Sequence, residues 1–233
     1  KVIAGNKSHE GPNPIGVLFK QHLPLVFVAA LVFAGNGAVG YMTAGGYIQN
    51  YATNPEGPIS FERGDVLNAV TLSAVTWLIF TLFAGWVSDY IGRRRTYLIG
   101  FVVQAIGAGI LFPLVNSASL GLLYVALIFL TVGLGLTYGA QSAMYAELYP
   151  ASVRASGVSI SYAIGSILGG AFAPMIAASL VDATGTTVAV TIYLVAASLV
   201  GFTAILLLQE RKGIPLSPDF ETEQSKSPFI FGK

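Results

Sequence analysis

Cysteine is absent from the 233-residue chain, which excludes a disulfide framework and any thiolate metal site. Histidine is scarce: the two present, His9 and His22, lie near the N-terminus and form no cluster with carboxylates that would suit a metal. Charge is scarcer than in water-soluble proteins. Asp, Glu, Lys and Arg make up 10% of the residues, against about 25% in a soluble domain, too few to cover a water-facing surface of this size. No Gly-rich loop ending in Lys-Ser/Thr is present to cradle nucleotide phosphates. No basic, aromatic surface suits a nucleic acid. No cofactor, metal or nucleic-acid partner is therefore expected. The chain also lacks an initiating methionine and an apolar signal region. Lys1 to Lys20 is polar and contains Gly and Pro, and reads as an internal start in a longer protein. A natural start lost from the record is the alternative.

What is abundant is apolar surface, 54% of residues. A helix needs about 20 apolar residues to cross the hydrocarbon core of a bilayer. Runs without Asp, Glu, Lys or Arg extend over Gln21–Pro55, Val66–Ser88, Thr96–Ala146, Ala155–Val181 and Ala183–Gln209. The third is too long for one helix and is interrupted by the turn-like stretch from Pro113 through Asn116 to Ser119. Six spans are predicted: Leu23–Ile48, Val66–Val87, Thr96–Val115, Leu120–Tyr145, Gly157–Leu180 and Thr187–Leu208. A membrane β-barrel would alternate apolar with polar residues, and these segments do not. The domain reading is a loop remnant over 1–22, a six-helix bundle over 23–209 and a polar tail over 210–233, expected to be disordered.

Threading six spans puts eleven of the twelve basic residues on one side and only Arg63 on the other. By the positive-inside rule both termini are predicted to be cytoplasmic, in a multi-pass protein of the cell membrane. The Asn6-Lys7-Ser8 glycosylation triplet falls on the inner side and is read as chance. Tyr47, Tyr51 and Tyr90 are read as interfacial belt residues.

Two loops on the basic side carry chemistry. Between spans two and three lies Gly85-Trp-Val-Ser-Asp89-Tyr-Ile-Gly92-Arg93-Arg94-Arg95. Gly85 permits close helix contact and Gly92 a tight reversal. Asp89 is an anion at the membrane edge, placed to pair with an arginine or a helix N-terminus. A plain positive-inside loop would explain the arginines but not the Gly–Asp–Gly spacing. Between spans four and five lies Glu147-Leu-Tyr-Pro150, followed by Arg154 and Gly157. Pro150 ends the fourth helix, and Glu147 and Arg154 are expected to pair across the break.

The first loop resembles the signature loop of the major facilitator superfamily, which recurs between the second and third helices of each six-helix half. The second resembles the Glu-Leu-aromatic-Pro … Arg … Gly stretch between helices ten and eleven of that superfamily, especially in its metabolite:proton symporter branch. The stretch Gly157 to Pro174 and Ala34-Gly35-Asn36-Gly37 continue the likeness, which covers nearly all of residues 20–210. The resemblance implies an all-α membrane protein of six transmembrane helices, the C-terminal half of a twelve-helix fold, with the N-terminal six-helix half as a missing partner. It further implies that Asp89, Arg93, Arg94, Glu147 and Arg154, with Gly85 and Gly92, form a cytoplasmic gate. A static structural anchor is the alternative role.

No acidic or basic side chain lies well inside a span, so a proton site is expected in the missing half. The neutral polar candidates for a substrate cavity are Asn36, Tyr41, Trp77, Tyr138 and Gln141. Asn36 lies about 20 Å along its span, among glycines that would let the helix bend or unwind, as in carriers that bind substrate at broken helices. Helix packing is the competing role for these positions, evenly balanced for Asn36 and Gln141. Gly165 and Gly169 form a small-xxx-small pair and are read as packing. The functional expectation is secondary transport of a small organic metabolite, an organic acid or osmolyte, with a proton. A sugar porter, a drug exporter or a non-transporting fragment are the alternatives. A membrane enzyme is disfavoured, because the only charged cluster lacks a histidine, a cysteine or a second acidic pair.

Overall fold

Inside lipid the backbone has no water to bond, so apolar segments satisfy their N–H and C=O groups internally, as helices. The computed structural model describes residues 13–44 and 46–231, all-α with no named strand among them. Among the described residues six helical stretches are long and apolar enough to cross a membrane: Leu23–Ala52, Arg63–Ile91, Arg93–Val115, Leu120–Leu148, Arg154–Thr184 and Val188–Leu207. Each expected span is present. Most run about a turn longer than their charge-free cores because charged residues occupy the terminal turns: Arg63 and Asp65, Asp89, Arg93, Glu147 and Arg154. Long charged side chains at helix ends can reach out of the hydrocarbon.

In chain order the helices are α1 (Pro14–Gln21), α2 (Leu23–Ala44), α3 (Tyr47–Ala52), α4 (Arg63–Ile91), α5 (Arg93–Val115), α6 (Leu120–Leu148), α7 (Arg154–Gly165), α8 (Ala173–Thr184), α9 (Val188–Leu207) and α10 (Glu221–Gln224). Within the first span, α2 runs unbroken through Asn36. The interruption comes later, at Gly46, whose φ of 81° is left-handed. The expected unwinding around Asn36 is thus not found. The glycines there serve close approach instead: a Cβ on Gly35 would fall 2.6 Å from the Ala197 carbonyl and 2.8 Å from the Gly201 backbone of α9. Lipid offers no hydrophobic drive between helices, so such backbone-to-backbone packing takes its place.

The fifth span is where a helix does change form. Ser166–Ala171 is a π-helical stretch joining α7 to α8. Pro174 lacks the N–H that would bond the Gly170 carbonyl, which favours a wider turn just before it. Gly165 and Gly169 both face α2; a Cβ on Gly165 would lie 2.7 Å from the Ala30 carbonyl, and Gly169 abuts the Ala34 backbone.

Helix α2 packs on α7, the π stretch and α9, while α6 packs on α4 and α5. Outer surface is left mainly by α4, where Leu78, Ile79, Leu82, Phe83 and Trp86 are exposed. At the end opposite Arg93–Arg95, Tyr47 and Tyr51 stack at 6.2 Å and meet Phe112 edge-on. Tyr47 is therefore buried core and not an interfacial belt residue. Tyr51 donates to Asn116 Oδ1 at 2.7 Å, and Asn116 donates to Thr187 Oγ1 at 3.0 Å, clipping three elements together.

The tail differs most from expectation. Residues 210–231 fold back beneath the basic end of the bundle instead of lying disordered. The Gln209 N–H donates to the Pro228 carbonyl and the Ile230 N–H to the Leu207 carbonyl, closing the return. Arg211 is buried and donates to the carbonyls of Glu223, Gln224 and Lys226 at 2.7–3.2 Å, holding the end of α10. Composition suggested disorder because the segment is polar; its order comes from polar groups satisfying one another. His9 and the Asn6-Lys7-Ser8 triplet lie outside the described residues.

Candidate functional site

Two groups of side chains stand out, one in the middle of the bundle and one at its basic end. In the middle, Asn36 is fully buried on α2. Thr137 Oγ1 lies 2.9 Å from Asn36 Oδ1, in place to donate to it, and Asn36 Nδ2 is 3.5 Å from Gln141 Oε1. Gln141 Nε2 is buried without a hydrogen-bond partner. Leaving such a donor unpaired costs about 1–3 kcal/mol. Next to them, Gln104 Nε2 donates to the Gly35 carbonyl and to Ser198 Oγ, each at 3.0 Å, tying α5 to α2 and α9.

Beside these amides runs a ribbon of rings. Trp77 meets Tyr138 edge-on at 5.3 Å, Tyr138 meets Phe33 at 6.4 Å, Phe33 meets Tyr162 at 4.3 Å, and Tyr162 meets Tyr145 at 5.7 Å. The ribbon crosses four helices. Trp77 and Tyr138 are half-buried, and each keeps part of its surface open. Of the five expected cavity residues, Asn36 and Gln141 come together, as do Trp77 and Tyr138. Tyr41 is 41% exposed and rests on Gly170 of the π stretch. Phe33 was missed by the sequence reading. Its spacing of three residues from Asn36, on the same face of a helix, was the available signal.

At the basic end Arg93 is the hub. It begins α5 directly after Gly92, whose φ of 101° lets α4 reverse into α5. Its guanidinium sits 2.6 Å from Asp89 Oδ1 and 3.3 Å from Glu147 Oε1, and donates to Ser88 Oγ at 2.5 Å. The Arg93 and Glu147 side chains are 13% and 11% exposed, so water screens that pair weakly, whereas Asp89 is 61% exposed. Gly85, a turn before Asp89 on α4, lies at the contact of α4 with Gly139 of α6 and not among the ion pairs.

Not every charged candidate joins. The expected Glu147–Arg154 pair is not formed. Glu147, on the last turn of α6, turns toward α4 and Arg93. Arg154, on the first turn of α7, donates to the carbonyls of Tyr149 and Leu216 and to Gln224 Oε1 at 2.9–3.2 Å. Arg94 also leaves the hub, its guanidinium bonding the Ile205 and Leu206 carbonyls at the C-terminal end of α9, the negative end of a helix dipole. Glu210, which the sequence reading passed over, accepts from the Arg94 N–H at 3.0 Å and packs against Gly92, where any Cβ would collide with its carboxylate. Gln224, equally unforeseen, is buried: its amide donates to the Pro215 and Ser217 carbonyls and accepts from Ala151 N–H and Arg154. Both partners lie roughly 70 or more residues away in sequence, so local pattern held no signal for them.

The model of the Major Facilitator Superfamily matches residues 25–231. The chain belongs to that superfamily. Similar curated proteins include a Haemophilus influenzae protein named for metabolite transport, 33% identical over 93% of this chain. The inner membrane metabolite transport protein YhjE of Escherichia coli is 32% identical over 84%, and the ectoine/proline transporter of Corynebacterium glutamicum 28% identical over 92%. The chain spans about half the length of these relatives: 51%, 44% and 42% respectively. As a superfamily member its match reaches past the last span, so the folded tail with Gln224 lies inside it along with the Arg93 hub.

Proposed function

We propose that this chain supplies one six-helix half of a secondary carrier that moves a small organic metabolite across the cell membrane by alternating access, with a proton as co-substrate. The superfamily match over a six-span bundle carries the reading, and the relatives named above are transport proteins. A shikimate transporter and an alpha-ketoglutarate permease of Escherichia coli and a citrate-proton symporter of Klebsiella pneumoniae are also similar to this chain. These names favour an organic acid or a compact osmolyte.

The middle of the bundle offers chemistry of that kind. Gln141 Nε2 is a donor waiting for an acceptor such as a carboxylate or hydroxyl oxygen, and Tyr138, three residues before it on α6, and Trp77 keep part of their ring surface open. Asn36 orients Gln141, and Tyr41 lines the approach from the π stretch. No carboxylate lies mid-span, so the proton is handled by the other six helices. Both ends of this chain face the cytoplasm. There Arg93, with Asp89 and Glu147, acts as a gate whose ion pairs form when helix ends meet and hydrate when they part. Arg94 and Arg154 brace that gate through α9 and the tail.

The test is uptake of a labelled metabolite panel by the full-length protein in proteoliposomes under an imposed pH gradient. Accumulation of an organic acid or osmolyte that follows the gradient is expected; a flat response to the gradient removes proton coupling. Asp89→Asn should lower uptake at unchanged membrane insertion, and undiminished uptake would exclude the gate.

A further inference from the structure

At the basic end, beside the hub, a cavity of about 300 Å³ opens between the end of α4, the start of α5 and the chain leaving α9. Arg94, Arg95 and Lys212 line it together with Tyr90 and Glu210. Among the described residues none of these three cations pairs with a carboxylate; the two ion pairs found both belong to Arg93. Glu210, the one anion in the lining, spends its oxygens on the backbone N–H groups of Arg94 and Lys212 at 3.0 and 3.2 Å. Lys212 Nζ donates to the Tyr90 carbonyl at 3.1 Å, which leaves other ammonium hydrogens free. Arg95 is exposed and its side chain makes no hydrogen bond among the described residues.

The cavity also has an apolar continuation. Tyr90, 68% exposed, meets Trp86 at 5.0 Å, and Trp86 meets Phe83 at 6.2 Å, a stripe of open rings running from the cavity along a membrane-crossing helix. A soluble anion would use the cations and leave the stripe bare. A molecule with an anionic head and apolar chains uses both. Aromatic and basic side chains at a helix end are what a headgroup region meets, and a guanidinium presents paired donors that fit phosphate oxygens.

We propose that this cavity binds the phosphate group of an anionic phospholipid, with Arg95 and Lys212 holding the phosphate oxygens and the Phe83–Trp86–Tyr90 stripe against the acyl chains. Selection against a choline lipid follows from charge: its quaternary ammonium would sit beside cations with only a committed carboxylate to balance it. The assignment needs the bundle to lie in a membrane and is independent of what is carried.

The experiment is native mass spectrometry of the full-length protein titrated with phosphatidylglycerol or phosphatidylcholine. Wild type should retain phosphatidylglycerol in preference, and Arg95→Gln with Lys212→Gln should weaken that retention about thirtyfold, as expected for two basic contacts near an anionic surface. Phosphatidylcholine retention should not change, and Arg63→Gln at the other end should have no effect. Equal retention of the two lipids, or no loss in the double variant, overturns the site. Displacement of phosphatidylglycerol by millimolar inorganic phosphate overturns the lipid assignment in favour of a soluble phosphate. Arg95→Gln alone breaks no internal contact and carries the same test should the double variant fail to assemble.

Discussion

The middle of the bundle and its basic end are held by different forces. In the middle, helices meet through glycine and neutral amides: Gly35 on Gly201, Gly139 on the α4 backbone, Gln104 bridging to Gly35 and Ser198. At the basic end they meet through charge and through a tail whose polar groups satisfy one another. The contrast follows from solvent. Lipid cannot reward apolar contact between helices, so the middle depends on close fit. Water at the membrane edge lets charges hydrate, so the basic end can form and break its contacts.

The sharpest way to break the comparison is to spoil the fit in the middle. Gly139→Leu would drive its side chain into Ala84 Cβ and the Gly85 N–H, each 2.7 Å from a Cβ at that position. A cost of about 3 kcal/mol or more is expected, read as loss of a monodisperse peak of the full-length protein in size-exclusion chromatography. Gly85→Ala, whose Cβ would lie 3.5 Å from the Gly139 carbonyl, is the control that should assemble normally.

Next in size is the hub. Arg93→Met strands Glu147, 11% exposed, without its cation. Removing one member of such a pair costs about 3 kcal/mol, visible as a lowered melting temperature. Adding Glu147→Gln should recover most of the loss, and no recovery would mean the pair is not the source. Gln224→Ala removes an amide that bridges the tail to Ala151 and Arg154. A loss of about 1–2 kcal/mol should appear as faster hydrogen exchange in residues 210–231 while the spans keep their protection.

The smallest effect concerns pH. Burial lowers the His22 pKa below its ordinary value, against an opposing pull from Glu221. A histidine whose pKa folding lowers adds stability above its unfolded value near 6.5, and that stability fades as pH falls below it. Exchange in α1, corrected for intrinsic rate, should therefore quicken between about pH 7.5 and about pH 5.5, and His22→Gln should remove the difference.

Much of the architecture was legible residue by residue. Charge-free runs located the six helices, and Pro150 and the 113–119 stretch marked their breaks. Part of the candidate site was legible too: Asp89, Arg93 and Glu147 meet, as do Trp77 and Tyr138. The rest was not. A glycine-rich helix can unwind or pack, and only the neighbour decides; Gly201 opposite Gly35 turned the balance to packing. Arg154 had Glu147 as its nearest acid in sequence yet bonds Gln224, while Glu147 pairs with Arg93.

Composition and spacing alone pointed to six apolar spans, and six are present among the described residues, since the free energy of moving a residue into lipid belongs to that residue. Which face of each helix is inside, which arginine meets which acceptor, and whether a polar tail orders itself are properties of pairs distant in the chain. Lipid-facing and core-facing surfaces are equally apolar, and an arginine will accept any nearby oxygen. Only the packed bundle chooses among them, as Glu210 against Gly92 and Gln224 beneath Arg154 demonstrate.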